Sequence, residues 1–143
     1  MSVIAWDGKS LAVDKQGTCG DMRLTVKKAR MLKNDVVLAW AGDQEQGLVL
    51  ARWYMDGADI SEWPEFQKEE QWTQLIIADG NTICYYETEP EIQRVNDSFM
   101  AWGSGRELAM GALAMGANAE QAVNIAIKFN VHCGIGCDVF KLV

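Results

Sequence analysis

The sequence contains one histidine and no long apolar run. Because His132 is the only histidine, a conventional Ser-His-Asp triad would have to use it. Its place beside Cys133 and Gly134 favours a turn or a strand end instead. No uninterrupted apolar stretch is long enough to span a bilayer, and no signal-peptide pattern opens the chain. We therefore expect a cytoplasmic protein without a membrane-spanning segment.

Positive charge is also scarce. Thirteen lysines and arginines stand against 20 aspartates and glutamates, which gives a formal net charge of −7. Nucleic acid and anionic membrane surfaces both require basic patches on a partner, so we expect neither to bind this chain. About half of the residues are apolar (49%), which allows a core of ordinary size. The length of 143 residues predicts a single domain, residues 1–143.

The four cysteines are Cys19, Cys84, Cys133 and Cys137. In a chain without a secretion signal, we interpret them as reduced thiols. Cys133 and Cys137, with the neighbouring His132, form one close group of candidate metal ligands of unusual spacing. A zinc site needs about four ligands, usually as two close pairs. The sequence therefore predicts no metal, and it shows no cofactor motif.

Apolar patterning predicts strands first, then a helix, further strands, two helices and a last strand. The expected strands are 2–6, 10–14, 23–26, 36–41, 73–78, 82–86, 97–102 and 138–143. The expected helices are 43–57, 106–115 and 118–129, with Asp43 and Asn118 as caps. We expect a turn at Asp7-Gly8, a polar loop over 15–21, an irregular link over 58–71 and a charged connection over 87–95 with room for one more short strand. Sheets with helices on their outer faces satisfy this order.

Ser2 is the candidate nucleophile. If Met1 is removed, Ser2 carries a hydroxyl that can attack a carbonyl and an α-amine that can take the proton. The amine suits this role because its reference pKa is about 7.7–8.0, against roughly 10.4 for a lysine. Such a site also needs a carboxylate and a cation nearby, and Asp14 and Lys28 are candidates for them. The alternative is that Ser2 is merely a small residue that follows an initiator methionine.

A Val-Lys-Lys-x-Arg-x-Leu stretch over residues 26–32 and an Ala-x-Ala-Gly stretch ending at Gly42 resemble the proteasome β-subunit family of N-terminal nucleophile (Ntn) hydrolases. The resemblance covers most of the chain, with deletions. It is a resemblance above all to the short bacterial peptidase HslV and to small proteasome-like proteins of phages and bacteria. It implies an α+β fold, the αββα sandwich of the Ntn-hydrolase type.

The resemblance also implies roles for particular residues. Ser2 would be the nucleophile at the head of the first strand, and Asp14, ending the second strand, would support Lys28. Lys28 would lower the pKa of the N-terminal group and stabilise the ionised nucleophile. The amide of Gly42 would help to form the oxyanion hole. Ser104, in a Gly-Ser-Gly, would bond near the nucleophile, although a serine there is also a good helix cap.

Residues 130–134 differ from the family, which has an Asp-x-x-Ser-Gly pattern there. Asn130 keeps the shape of the aspartate without its charge, and Cys133 is a weaker hydrogen-bonding group than serine. We favour a buried apolar role for Cys133. Ser2 likewise replaces the usual threonine. A plain strand-end aspartate and a solvated lysine remain alternatives for Asp14 and Lys28.

The resemblance predicts hydrolysis of a peptide or a small amide inside a homo-oligomeric ring, and it leaves the substrate, the ring size and any ATPase partner open. The departures at Asn130 and Cys133 favour a second possibility, a non-catalytic structural or binding protein. The six tryptophans are expected in the core or at subunit contacts. For the contacts we expect apolar surface on outer helices, at Trp53, Tyr54 and residues 110–115.

Overall fold

The computed structural model describes residues 2–68 and 73–143. The strands in these ranges are β1 (Val3–Trp6), β2 (Ser10–Asp14), β3 (Gln16–Cys19), β4 (Met22–Thr25), β5 (Ala29–Met31), β6 (Val37–Ala41), β7 (Gln74–Asp79), β8 (Thr82–Tyr86), β9 (Gln93–Arg94), β10 (Met100–Gly103) and β11 (Cys137–Lys141). The α-helices are α1 (Gln44–Met55), α2 (Arg106–Ala114) and α3 (Ala119–Phe129). Short 3-10 turns cover Ile60–Glu62 and Glu65–Lys68. Met1, Trp72 and the end of the link predicted to reach residue 71 lie outside the described residues.

Two antiparallel sheets form the centre of the fold. The first has the order β10-β1-β2-β11 and the second the order β5-β6-β7-β8-β9, while β3 and β4 pair as a separate hairpin. In the first sheet, Ile4 lies opposite Val13 on one side and opposite Trp102 on the other. β1 is therefore an inner strand, and this places Ser2 between the ends of its two neighbours.

The two sheets pack face to face, and helices cover their outer faces. On β1, Ile4 and Trp6 point to the second sheet, while Val3 and Ala5 point to α2 and α3, as the period of two along a strand requires. α1 packs on the other side, against β6 and β7. The order helix, sheet, sheet, helix confirms the predicted αββα sandwich. None of the helices in the described ranges is long and apolar enough to cross a membrane.

Local signals in the sequence position two of these helices. Asp43 accepts a hydrogen bond from the Gln46 amide at 3.0 Å and so caps α1, as predicted. Asn118 and Gln121 form a capping box at the start of α3. Asp7, in the predicted turn between β1 and β2, accepts a bond from the Ala119 amide at 2.9 Å. This bond ties the β1–β2 hairpin to α3.

Two short strands were not predicted. The polar loop expected over 15–21 is wrong, because Gln16–Cys19 forms β3 and pairs with β4. Both strands of this hairpin are largely exposed, so their sequence lacks the alternation that a buried face imposes. The other is β5, a three-residue edge strand paired with β6.

The described tryptophans are all buried, which confirms their core assignment: Trp6, Trp40, Trp53, Trp63 and Trp102. The prediction that Trp53 lies on the outer surface of its helix is wrong. Its ring packs edge-on against Trp63 and Tyr86, with centroids 4.8 and 5.2 Å apart, and its indole donates to the Asp59 carbonyl. Within the stretch 110–115, Met115 is 89% exposed and fits the expected exposed surface, whereas Leu113 is buried.

Candidate active site

Asp14 ends β2 and is fully buried. One carboxylate oxygen, Oδ1, accepts from the Val3 amide at 3.0 Å and from Lys28 Nζ at 2.9 Å. The other, Oδ2, accepts from the amides of Gly134 at 3.1 Å and Gln16 at 3.4 Å. A buried carboxylate is costly unless it is hydrogen-bonded and paired, and these four donors meet that need. Asp14 therefore joins the beginning, the lysine segment and the C-terminal part of the chain.

Lys28 lies just before β5, with its side chain buried at 6% exposure, whereas the neighbouring Lys27 is exposed. The structure thus brings Lys28, and not Lys27, to Asp14. Burial lowers the pKa of Lys28 below its ordinary 10.5, and the nearby Asp14 carboxylate opposes that shift. Since Lys28 Nζ and the Val3 amide bind the same oxygen, the ammonium group lies close to the Ser2–Val3 peptide.

Ser2 is almost completely buried, at 1% exposure. Its carbonyl accepts from the Ser104 hydroxyl at 3.2 Å and from the Gly105 amide at 3.2 Å. Its own hydroxyl, Ser2 Oγ, has no hydrogen-bond partner among the described residues. A buried unsatisfied hydroxyl costs free energy, so the position is unusual for a serine with a purely structural role.

Gly103 is needed for this placement of Ser2. A Cβ at position 103 would overlap the Ser2 carbonyl and lie 3.1 Å from its Oγ. The backbone of Gly103 also has φ of +96°, which side-chain-bearing residues rarely adopt. Glycine is therefore required at the end of β10 for two independent reasons.

Ser104 does not act as the cap of α2. The N-cap position belongs to Gly105, which has no side-chain cap bond. The Ser104 hydroxyl donates instead to the Ser2 carbonyl, and the Ser104 carbonyl accepts from Asn130 Nδ2 at 3.0 Å. Ser104 thus connects Ser2 to the residues that follow α3.

Asn130 and Cys133 lie in that segment, in a turn that also contains His132. Asn130 Oδ1 accepts from the His132 amide at 2.8 Å, which fixes the turn. Cys133 is buried, with Sγ 3.8 Å from Ser104 Oγ. Burial, together with the Asp14 carboxylate, raises the pKa of the Cys133 thiol. The thiol therefore stays protonated and is a poor nucleophile, in keeping with a packing role.

Gly42 lies at the end of β6, with φ of +129°. A Cβ at this position would meet Thr73, which precedes β7 and whose hydroxyl donates to Gln46 Oε1 at 2.9 Å. The turn into α1 is thereby fixed against the second sheet. The role of the Gly42 amide in an oxyanion hole stays a prediction.

Two residues of the site, Gln16 and Gly134, were not predicted from the sequence. Gln16 is buried at 2% exposure, and its side chain donates to the Val131 carbonyl at 3.1 Å. It was missed because the surrounding segment was expected to be a loop. The Gly134 amide binds Asp14, and the only signal for it was the glycine of the Asp-x-x-Ser-Gly pattern.

Metal ligands do not gather at this cluster. In residues 2–68 and 73–143, no group of three or more His, Cys, Asp or Glu side chains could hold a metal ion. Within the same ranges the four cysteines are free thiols. The chemistry available among these residues is that of a hydroxyl, a carboxylate and an ammonium group.

Comparison with solved structures identifies the fold. HslV from Trypanosoma brucei superimposes with a TM-score of 0.72 at 20% identity, over 96% of each chain. The bacterial proteasome homologue of Thiobacillus denitrificans gives 0.71, at 17% identity alone and at 18% in complex with epoxomicin, over 99% of this chain and 98% of the other. No protein-family model matches the sequence, and no curated protein does. The chain has the proteasome β-type fold of the Ntn hydrolases.

Proposed function

We propose that the chain is a proteasome- and HslV-like Ntn hydrolase, a single domain of residues 1–143 that cleaves peptide or amide bonds after removal of Met1. One observation carries the proposal. Asp14 Oδ1 binds both Lys28 Nζ and the Val3 amide, which sets an ammonium group beside Ser2. The buried Ser2 hydroxyl without a partner supports it.

In this proposal the Ser2 hydroxyl is the nucleophile and the Ser2 α-amine is the general base. Once the amine is free and neutral, it accepts the hydroxyl proton while Oγ attacks the substrate carbonyl. The positive charge of Lys28 stabilises the developing alkoxide, and Asp14 holds Lys28 in place. The Gly42 amide donates to the oxyanion of the tetrahedral intermediate.

Collapse of that intermediate breaks the amide bond. The leaving amine takes the proton from the α-ammonium group and departs, which leaves an ester between Ser2 and the acyl part of the substrate. Water then attacks the ester while the α-amine accepts its proton, and that proton passes to Ser2 Oγ as the ester bond breaks and the acid is released. Ser104 supports the site by donating to the Ser2 carbonyl, and Asn130 in turn donates to the Ser104 carbonyl.

Epoxomicin, bound to the Thiobacillus denitrificans homologue, is a direct probe of this proposal. Intact-mass spectrometry should show Met1 removed from the protein of its native source, and a single adduct after incubation with epoxomicin. Ser2→Ala should abolish the adduct with an unchanged thermal unfolding curve. Ser61→Ala, at an exposed serine of a 3-10 turn, is the matched control and should label fully. Equal labelling of Ser2→Ala would identify another reactive group, with the cysteines as first suspects.

A non-catalytic structural or binding protein is the second candidate. Asn130 and Cys133 favour it, because the site lacks the charge and the strong donor of the Asp-x-x-Ser-Gly pattern. A retained Met1 would leave the nitrogen of Ser2 in a peptide bond and would decide for this candidate. A small-molecule amidohydrolase would use the same residues but would reject peptide-sized substrates.

A further inference from the structure

Gln67 is a fully buried polar side chain in the link between α1 and β7. Its Nε2 donates to the Thr73 carbonyl at 2.7 Å and to the Glu87 carbonyl at 2.5 Å, and its Oε1 accepts from the Thr73 amide at 2.8 Å. The side-chain amide thus binds both backbone polar groups of Thr73, as a neighbouring strand would. A buried polar network whose members are paired makes the segments that it joins rigid.

Thr73 lies one residue before β7, where the ladder between β6 and β7 ends. The last register pair of that ladder is Ala41 with Gln74, so the next residues in line are Gly42 and Thr73. A buried amide or carbonyl without a partner costs free energy, and Thr73 is fully buried. Gln67 supplies the partner at this end of the ladder.

Thr73 packs directly against Gly42. A Cβ on Gly42 would lie 2.8 Å from Thr73 Oγ1 and 3.2 Å from Thr73 Cα, so the two backbones approach more closely than a side chain at position 42 would allow. Thr73 Oγ1 also donates to the side chain of Gln46, in the first turn of α1. Thr73 therefore limits how far the Gly42 backbone, with φ of +129°, can turn.

The link has a second anchor, Trp63. Its Nε1 donates to the Thr88 carbonyl at 3.2 Å, and its ring packs in the aromatic cluster of the second sheet. Trp63 holds the link to the end of β8, whereas Gln67 holds it both to the end of β8 and to Thr73. The bonds of Gln67 are thus the ones that lead to Gly42.

We propose that Gln67 is a positioning residue for the oxyanion site and sets the direction of the Gly42 amide through Thr73, an inference that rests on the proposed hydrolase function. An amide stabilises an oxyanion only at a distance of about 2.7–3.1 Å, so a small rotation of the Gly42 peptide weakens the effect. Substrate binding depends little on this amide, because the negative charge develops in the transition state. Loss of the Gln67 bonds should therefore lower kcat and leave KM nearly unchanged.

Gln67→Met tests this, because methionine has a similar length and cannot make the three hydrogen bonds. For a trileucine amide with a fluorogenic leaving group, kcat per folded molecule should fall at least about tenfold, part of the roughly 10²–10³-fold that loss of a donor costs. KM should stay within about twofold of the wild type.

Trp63→Phe is the matched control, because it removes the other side-chain bond from the link to the end of β8. It should lower the unfolding temperature, while kcat per folded molecule stays within about twofold of the wild type. Equal losses of kcat in Gln67→Met and Trp63→Phe would assign a structural role to Gln67 and overturn the inference.

A trileucine ester and its thionoester, with sulfur in place of the carbonyl oxygen, isolate the effect on the oxyanion. Sulfur accepts hydrogen bonds weakly, so the thionoester gains little from the Gly42 amide. Gln67→Met should lower the ratio of kcat/KM for the ester to that for the thionoester at least about tenfold.

Thr73→Ala should lower the same ratio, because it opens space beside Gly42 and keeps the bonds of Gln67, which go to the Thr73 backbone. If Gln67→Met does not fold, the ratio in Thr73→Ala decides. A wild-type ratio in the variants that fold would overturn the inference and leave the hydrolase intact.

If the wild-type protein cleaves neither the amide nor the ester, the hydrolase fails, and crystal structures of the variants decide the positioning. The Gly42 peptide should be rotated in Gln67→Met and in Thr73→Ala and unchanged in Trp63→Phe. A φ of Gly42 that stays near +129° in the first two variants would overturn the inference by itself.

Discussion

Asp14 is the residue on which the candidate site depends. Its two oxygens hold Lys28 and the Val3 amide on one side and the Gly134 amide on the other. Loss of the carboxylate would leave buried donors unsatisfied at a cost of about 1–3 kcal/mol each. One side chain therefore couples stability to the placement of the proposed reacting groups.

Lys28→Ala should slow hydrolysis strongly. The variant removes the cation that stabilises the ionised nucleophile, and loss of one electrostatic stabiliser costs about 2.7–4 kcal/mol, or roughly 10²–10³-fold in kcat. Steady-state cleavage of a peptide amide measures this. Lys33→Ala, at an exposed turn lysine, should stay within about twofold of the wild type. Equal losses in both variants would mean that the effect is not specific to the candidate site and would contradict the role of Lys28.

The rate should show a bell-shaped dependence on pH. On the acid side it should rise as the α-amine loses its proton, below the reference pKa of about 7.7–8.0 because the charge of Lys28 lies nearby. On the alkaline side it should fall as Lys28 loses its charge, below pH 10.5 because burial lowers the pKa of Lys28. Lys28→Arg keeps its charge, so the residual activity of that variant should lack the alkaline limb. An unchanged alkaline limb would assign it to another group.

The lowered pKa of Lys28 also makes the free energy of unfolding depend on pH. Because the pKa of Lys28 is lowered in the folded protein, the unfolded chain binds that proton more tightly. The free energy of unfolding therefore carries a penalty at neutral pH. The penalty is relieved as pH rises from the lowered pKa of Lys28 towards 10.5.

At the scale of elements, local chemistry predicted most boundaries. Asp43 and Asn118 satisfy the first amides of their helices, and Asp7-Gly8 forms the β1–β2 turn, so short segments contained the necessary information. β3 and β5 were missed because their pairing depends on distant backbone and not on a buried face of their own. Gln16 was not predicted as a residue of the site because it lies in β3.

The site was predictable only in part. The resemblance over residues 26–32 singled out Lys28, and the structure brings Lys28 and Asp14 together. The Gly134 amide binds Asp14 across 120 residues, and no pattern within one sequence measures such a distance. The exclusion of a side chain at Gly103 is likewise a property of the folded contact with Ser2.

Gly103→Ala tests how tightly β10 positions Ser2. The added methyl group would overlap the Ser2 carbonyl in a backbone of positive φ, so we expect a loss of about 2 kcal/mol or more in the free energy of unfolding. Hydrolysis by the fraction that remains folded should also fall. Urea unfolding and cleavage assays measure the two effects.

Gly111→Ala is the control within α2. A Cβ there meets no atom within 4 Å of the described structure, and alanine favours a helix over glycine by about 0.5–1 kcal/mol. This variant should therefore be slightly more stable and fully active. Destabilisation by both substitutions to the same extent would contradict the special role of position 103.

At the scale of the whole molecule, the four layers gather the site from distant segments. β1 and β2 bring Ser2 and Asp14, the start of β5 brings Lys28, and the two ends of the α2–α3 unit bring Ser104 and Asn130. Each residue is placed by an element that is itself buried on at least one face. The fold thus provides a rigid frame for the reaction that we propose.

We predict a closed homo-oligomer of several subunits. Apolar side chains remain exposed on the helical side of the first sheet, among them Met115 at 89%, Phe129 at 65% and Val131 at 81%. Exposed apolar groups of this kind mark contact surfaces when they gather in patches, and closed symmetry satisfies such surfaces. Light scattering at micromolar concentration measures the mass. A single species near 15.9 kDa would exclude a ring.

The long-range hydrogen bonds of Asp14 and Ser2 also determine when the site can form during synthesis of the chain. Ser2 is bound by Ser104, 102 residues later in the chain, and Asp14 by Gly134, 120 residues later. At a synthesis rate of about 5–20 residues per second, roughly 6–24 s pass between the appearance of Asp14 and that of Gly134. A nascent chain on the ribosome therefore carries its proposed nucleophile long before the site is complete. Truncated products that lack Ser104 and Gly134 should be inactive.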